Sequence, residues 1–244
     1  MVENKSYKKL KFAIFGRSLI TDHFIEELNR LGFQKPIVFL SLDKEYKRDR
    51  LLLEKLGLFG KLEELDKIKI CKIYKTKDIN HKKNITVLER EKCNIGISIN
   101  CRDIIKKNLI NFFSGNIFNI HGGRLPFEKG AAGATWKILN NIDNIVSTLH
   151  YLTEGIDDGD IVLEQKKKLN VSSVRPIDII EITNIVSKKL ITSYLKKLKR
   201  NYKFTRKIQN KKNAMYFPRL FTQVNGLIDW NWNVDEIEIF IRAF

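Results

Sequence analysis

The chain has 244 residues, 43% of them apolar, and a mean hydropathy of −0.27, which suits one larger folded domain with its own core, alone or with an appendage. Lys and Arg number 45 against 28 Asp and Glu, a formal net charge of +17. Scattered lysines read first as a solvated surface produced by compositional drift; the functional alternative is a surface that gathers an anionic substrate. They do not read as a nucleic-acid groove, because no basic block is interleaved with stacking aromatics. No apolar run reaches the eighteen or so residues of a membrane span, and the polar start "MVENKSYKKLKFAIF" is not a secretory signal, so the expected address is the cytoplasm. Cys71, Cys93 and Cys101 lack CxxC spacing, which argues against a disulfide framework or a zinc cluster.

In chain order, "LKFAIFG" (10–16) reads as a buried strand ending at a glycine, and "SLITDHFIEELNRLG" (18–32) as a helix that closes on Gly32. "KPIVFLSL" (35–42) completes a β-α-β unit, which implies a parallel sheet with right-handed crossovers. Residues 43–66 are charged with scattered leucines and are expected to be helical. Further strands are expected at 67–74, 93–100 and 117–121, separated by helices at 85–92 and 102–113. A helix at 133–141, strands at 145–152 and 160–169, and a long helix at 176–200 complete the domain. The end of the chain turns extended and aromatic in "NAMYFPRLFTQVNGLIDWNW" (213–232). The expected fold class is therefore α/β: a Rossmann-like, doubly wound, mostly parallel sheet in residues 1–205. A short C-terminal extension, 206–244, would pack on that domain or against a second subunit, with Trp230 and Trp232 as candidates for a homodimer contact.

Gly16 alone does not make a dinucleotide site, since "GRSLIT" lacks the later glycines of the fingerprint. The stretch "NIHGGRLP" (119–126) is more specific. Asn119 and His121 are two residues apart on a strand, so they share a face, and they fall at its carboxyl end, where open α/β sheets place ligands. Gly122 and Gly123 allow a sharp turn after them, and Pro126 stiffens the loop beyond that turn. The segment "EGIDDGDIV" crowds Asp157, Asp158 and Asp160 onto one tight loop. Turn chemistry accounts for Asp158 and Gly159. A third carboxylate beside an imidazole would raise the pKa of that imidazole and fix its tautomer. The remaining histidines, His23, His81 and His150, read as isolated surface or packing residues. With no second His or Cys at ligand spacing, no metal is expected.

These residues resemble a known family. "NIHGGRLPFEKGAAG" is similar to the Asn-x-His…Leu-Pro-x-x-Arg-Gly-Ala motif of formyltransferases that use 10-formyltetrahydrofolate, and "IDDGDIV" to their Asp-x-Gly loop, with Asp157 lying 38 residues beyond Asn119. The similarity spans roughly residues 10–200. Gly123–Pro126 replaces the usual Ser-Leu-Leu-Pro, and Lys129-Gly130 replaces Arg-Gly. "LIDWNWNVDEIEIFIRAF" also resembles a segment that leads into a further domain in longer, tRNA-directed members, whereas here the sequence stops at Phe244.

The resemblance implies Asn119, His121 and Asp157 as the catalytic residues. Asn119 would donate to the oxyanion, His121 would handle protons in an order the sequence leaves open, and Asp157 would orient the imidazole. It implies 10-formyltetrahydrofolate as co-substrate, with the pteridine against Ile97, Ser98, Ile99, Asn100 and Asp157. The implied acceptor is a nucleotide-linked amino sugar of the dTDP-4-amino-4,6-dideoxyglucose type used in surface polysaccharide (O-antigen) synthesis. Arg124, Lys129 and Arg219 would supply charge to it and Tyr216 and Phe217 stacking; the alternative for 215–220 is a strap held by its aromatics. A tRNA formyltransferase without its second domain, a formyltetrahydrofolate hydrolase and a non-catalytic basic RNA-binding module remain as other readings.

Overall fold

The computed structural model describes residues 5–42, 51 and 53–244. Its main element is a seven-stranded sheet in the order β3-β2-β1-β4-β5-β7-β8. The strands are β1 (Phe12–Phe15), β2 (Ile37–Ser41), β3 (Lys72–Thr76), β4 (Ile95–Ile99), β5 (Ile117–His121), β7 (Asn144–Tyr151) and β8 (Ile161–Lys168). β3 to β5 run parallel, and β7 and β8 are added antiparallel at one end. The doubly wound, mostly parallel α/β fold expected from the sequence is the fold observed. A second, two-stranded sheet joins β6 (Lys129–Gly130) to β9 (Tyr216–Phe217).

Among the described residues, the helices with both ends described are α1 (Leu19–Leu31), α2 (Leu62–Lys67), α3 (Lys82–Arg90), α4 (Lys107–Phe112), α5 (Gly133–Leu139), α6 (Pro176–Lys199), α7 (Thr222–Asn225) and α8 (Val234–Ala243). Local chemistry accounts for the first helix. Ser18 Oγ accepts from the Thr21 N–H at its start, and Gly32 takes the left-handed conformation (φ 78°) that closes its last turn. Gly16 turns the chain from β1 into α1 at φ 111°, and a Cβ there would stand 2.0 Å from the Ile99 carbonyl oxygen. Close backbone approach at the mouth of the sheet is therefore the reason for this glycine.

The parallel strands are apolar on both faces because both are covered. Phe12, Ile14, Ile97 and Ile99 pack with Phe24, Leu190 and Tyr194 beneath α1 and α6. Ala13, Phe15 and Phe39 pack with Leu88, Leu109 and Phe113 on the other side. A third cluster ties the chain's end to the body: Ile138, Val171, Ile179 and Val186 enclose Ala243.

Several boundaries differ from the sequence reading. The strand expected at 67–74 runs 72–76, because Leu62 and Leu65 bury as a helical pair and Lys69 (φ 61°) breaks the chain after them. The helix expected at 102–113 starts only at Lys107, leaving 102–106 as loop. The helix expected at 85–92 runs 82–90, started by His81, whose Nδ1 accepts from the Lys83 N–H. Of the helix expected within 43–66, residues 43–50 and 52 lie outside the described residues; residues 51 and 53–55 are helical, 56–61 are not, and α2 begins at 62.

Candidate active site

β5 ends in the cleft that opens between the carboxyl end of β4 and the loop following β7. The antiparallel pairing of β5 with β7 sets Asn119 opposite His150 and His121 opposite Thr148. The loop after β7 then brings Asp157 up to the same point. Asp157 takes φ 51°, a conformation Asp tolerates better than most residues, and Gly159 packs where a Cβ would meet the Tyr151 carbonyl oxygen at 1.8 Å. Gln209, from the C-terminal segment, clamps the loop. Its Nε2 donates to the carbonyls of Asp157 (2.8 Å) and Gly159 (2.6 Å).

Asn119, His121 and Asp157 are thus brought together. Asp157 Oδ2 lies 3.5 Å from His121 Nδ1 and accepts from the Gly130 N–H at 2.9 Å, while Oδ1 lies 3.3 Å from Asn119 Nδ2. Burial pushes the carboxyl pKa up, but the His150 ring, which donates to Oδ1 when it is protonated, the field of His121 and the Gly130 N–H outweigh it and hold Asp157 at about 2. On His121, burial disfavours the imidazolium more than Asp157 and the Glu128 carbonyl favour it, so its pKa falls below 6.5. At neutral pH the pair is a carboxylate beside a neutral imidazole. His121 Nε2 lies 2.5 Å from the Glu128 carbonyl oxygen; since a carbonyl only accepts, that nitrogen carries the proton.

His150, read from the sequence as an isolated packing residue, belongs to the site. It is buried, its Nδ1 donates to the Tyr151 carbonyl (2.9 Å), and its Nε2 faces Asn119 Nδ2 at 3.1 Å and Asp157 Oδ1 at 3.4 Å. In the neutral ring Nε2 is the acceptor, so His150 holds the Asn119 amide with its NH2 toward Asp157. The sequence carried only part of the signal: a histidine stands inside the apolar strand "IVSTLHYL", but the register that sets it opposite Asn119 belongs to the tertiary structure.

The cleft in front of these groups has a volume of about 600 Å³, and Ser98, Asn100, Arg102, Tyr216 and Arg219 are among its lining residues. Ile97 and Ile99, expected near a pteridine, are instead wholly buried in the core, because alternate residues of β4 face opposite sides and Ser98 faces the cleft. Among the residues expected to bind an acceptor, Tyr216 is 57% exposed at the cleft. Phe217 is buried and stacked on Trp136 with centroids 5.3 Å apart, so it anchors the strap and offers no free face. Lys129 is buried and paired with Asp158, which spends its charge within the protein. Arg124 lies over the Phe127 ring and lines a separate basic cavity with Lys166 and Lys207. Among the described residues no cluster of His, Cys, Asp and Glu could hold a metal ion, and no helix is long and apolar enough to cross a membrane.

The formyl transferase family profile matches residues 8–173. The chain belongs to the formyl transferase family. It is 27% identical over 179 residues to the bifunctional polymyxin resistance protein ArnA of Wigglesworthia glossinidia brevipalpis, covering 70% of this chain and 26% of that protein. It is 30% identical over 141 residues to the methionyl-tRNA formyltransferase of Ruminiclostridium cellulolyticum, covering 57% of this chain and 44% of that protein. The chain therefore spans less than half the length of either curated relative. The fold is shared with the N-formyltransferase of Helicobacter canadensis, whose structure was solved in complex with folinic acid and dTDP-3-aminofucose. The TM-score is 0.74 at 21% identity, covering 96% of this chain and 80% of that one.

Proposed function

We propose that the protein is an N-formyltransferase that moves the formyl group of 10-formyltetrahydrofolate to the amine of a nucleotide-linked amino sugar, in the cytoplasm. The observation that carries this reading is the meeting of Asn119, His121 and Asp157 at one end of the cleft, inside the family's fold. The acceptor favoured is a dTDP-4-amino-4,6-dideoxyglucose type, made for surface polysaccharide. Its support is the complex of the Helicobacter canadensis protein with a nucleotide-linked amino sugar, together with Arg102, Arg219 and the exposed Tyr216 at the cleft. The folate is assigned to the Ser98–Asn100 side of the cleft.

The neutral amine of the sugar adds to the formyl carbon, and the carbonyl π pair moves to oxygen. Asn119 Nδ2 faces His150 Nε2 at 3.1 Å and donates to Asp157 Oδ1 at 3.3 Å; the longer of the two bonds is the one the oxyanion would take over. A fixed donor of this kind lowers the barrier by about 3–4 kcal/mol. The ammonium proton then passes to the His121–Asp157 pair. His121 Nδ1 is the basic nitrogen, because Nε2 is committed to Glu128, and a proton arriving there is stabilised by the carboxylate 3.5 Å away. Collapse of the oxyanion breaks the carbon–N10 bond as the proton held on His121 Nδ1 passes to N10, so tetrahydrofolate leaves and the imidazole is neutral again. The folate and the formyl amide are the products.

Incubating the protein with the donor and candidate amines, and following tetrahydrofolate release, tests the reading. Release with a thymidine-linked amino sugar, abolished in Asn119→Ala, is expected. Release without any amine would replace it with a hydrolase, and release only with charged initiator tRNA would replace the acceptor. Salt-sensitive RNA binding with no release at all would leave a binding module.

A further inference from the structure

The loop that follows His121 is held by a buried ion pair with no place in the chemistry above. Glu128 is 5% exposed and Lys137, on α5, is 1% exposed. Lys137 Nζ lies 2.5 Å from Glu128 Oε2 and also donates to the Asn144 carbonyl at 3.1 Å. The same Oε2 accepts from the Arg124 N–H at 3.1 Å, and the Glu128 N–H donates back to the Arg124 carbonyl at 2.8 Å. The segment 124–128 is therefore a closed turn, cross-braced by its own carboxylate and bolted to α5 and β7 by the lysine. The outward product of this bracing is the Glu128 carbonyl, 2.5 Å from His121 Nε2.

Stability alone is a poor reason for such a pair. Burying two charges costs several kcal/mol each in desolvation, and well-packed apolar residues of similar volume often do as well or better. What a carboxylate between an N–H and an ammonium provides is direction: it fixes the peptide at Glu128 in one orientation.

We propose that Glu128 and Lys137 are positioning residues that set the tautomer of His121. By holding the Glu128 carbonyl against Nε2, they keep the proton on that nitrogen and leave Nδ1 as the basic atom on the Asp157 side. Without the brace the peptide can turn, Nε2–H loses its acceptor, and the ring can carry its proton on Nδ1 toward the carboxylate, where it cannot accept another. This inference rests on the proposed role of His121 as proton acceptor, but it is tested by a measurement that needs no substrate.

The ¹⁵N chemical shifts of the His121 imidazole distinguish the two neutral tautomers. In the parent protein above the pKa of the ring, the Nε2–H form is expected; an Nδ1–H form in the parent would overturn the proposal whatever the variants do. Glu128→Leu/Lys137→Met, which replaces the pair with apolar residues, is expected to fold with a melting temperature close to the parent's. It should show a mixed or inverted tautomer, with kcat down at least tenfold and KM for the acceptor little changed. A folded double variant with the parent's tautomer and kcat would reduce the pair to a structural role. Tautomer control with no formyl transfer by the parent would keep this inference and remove the functional reading, so the two can fail separately.

Discussion

Asp157→Asn removes one charge from the centre of the site while keeping its shape. The depression of the Asp157 pKa from 3.8 to about 2 measures how much better the fold holds the carboxylate than the carboxylic acid. The side chain is only 11% exposed, so little of this is screened by solvent, and at about 1.4 kcal/mol per unit it amounts to about 2 kcal/mol. The asparagine cannot repeat it: Gly130 N–H and Asn119 Nδ2 would share one amide oxygen, and an NH2 would turn toward one of them. For a chain of this size the loss corresponds to a melting temperature lower by roughly 4–8 °C at neutral pH. The sign with pH is set by the folded pKa lying below the unfolded one. The advantage is fully present above 3.8, falls to roughly half by pH 3, and is lost as the pH approaches about 2. Urea unfolding of parent and variant from pH 7 to pH 3 reads the difference directly. A gap that does not shrink over that range, or one below about 0.5 kcal/mol at pH 7, would refute the charge argument.

His121→Ala is expected to lower turnover by about two to three orders of magnitude with the fold intact, as for an acid–base group. In the parent, the acid limb of kcat should have its midpoint below 6.5, because burial makes His121 harder to protonate; a limb centred at 6.5 or above would contradict the assignment. His150→Leu deletes the acceptor that holds the Asn119 amide at 3.1 Å, a bond of about 1 kcal/mol, so kcat should fall roughly five- to tenfold. His150→Gln, which retains an acceptor, should lose less, and equal losses would make His150 a packing residue after all. Gly159→Ala drives a methyl into the Tyr151 carbonyl at 1.8 Å and should cost about 3 kcal/mol or more in thermal unfolding. Gly155→Ala meets first the end of the Asp158 side chain rather than backbone, so it should cost less than Gly159→Ala, the loss coming from the disturbed pair of Asp158 with the buried Lys129.

Much of this protein is local and so is legible in the chain. The β-α-β opening, the helix stop at Gly32 and the strand Ile117–His121 arise from apolar period, caps and turn residues. Those are short-range causes, and each residue there obeys the same preference alone as in the fold. The pairing of Asn119 with His121 on one strand face, and the candidacy of Asp157, rest on the same kind of evidence. Boundaries at residues 62–76 and 102–107 depart from the local pattern because there burial, decided by distant partners, overrides it.

Cross-strand and cross-element relations required the tertiary structure. His150 looks isolated in the chain because its partner is 31 residues away in sequence and opposite in register; no count of spacing predicts which residue of an antiparallel neighbour meets Asn119. Lys129 and Phe217 look available for a ligand because a sequence gives charges and rings without saying that Asp158 and Trp136 have already taken them. Gln209, Glu128 and Lys137 act through carbonyls and buried contacts that have no sequence signature. Composition and period settled which chemistry the chain can offer. The long-range closure of the chain decided which of those groups are spent on the fold and which are left facing the cleft, because only contacts between distant segments desolvate a charge or fix a tautomer.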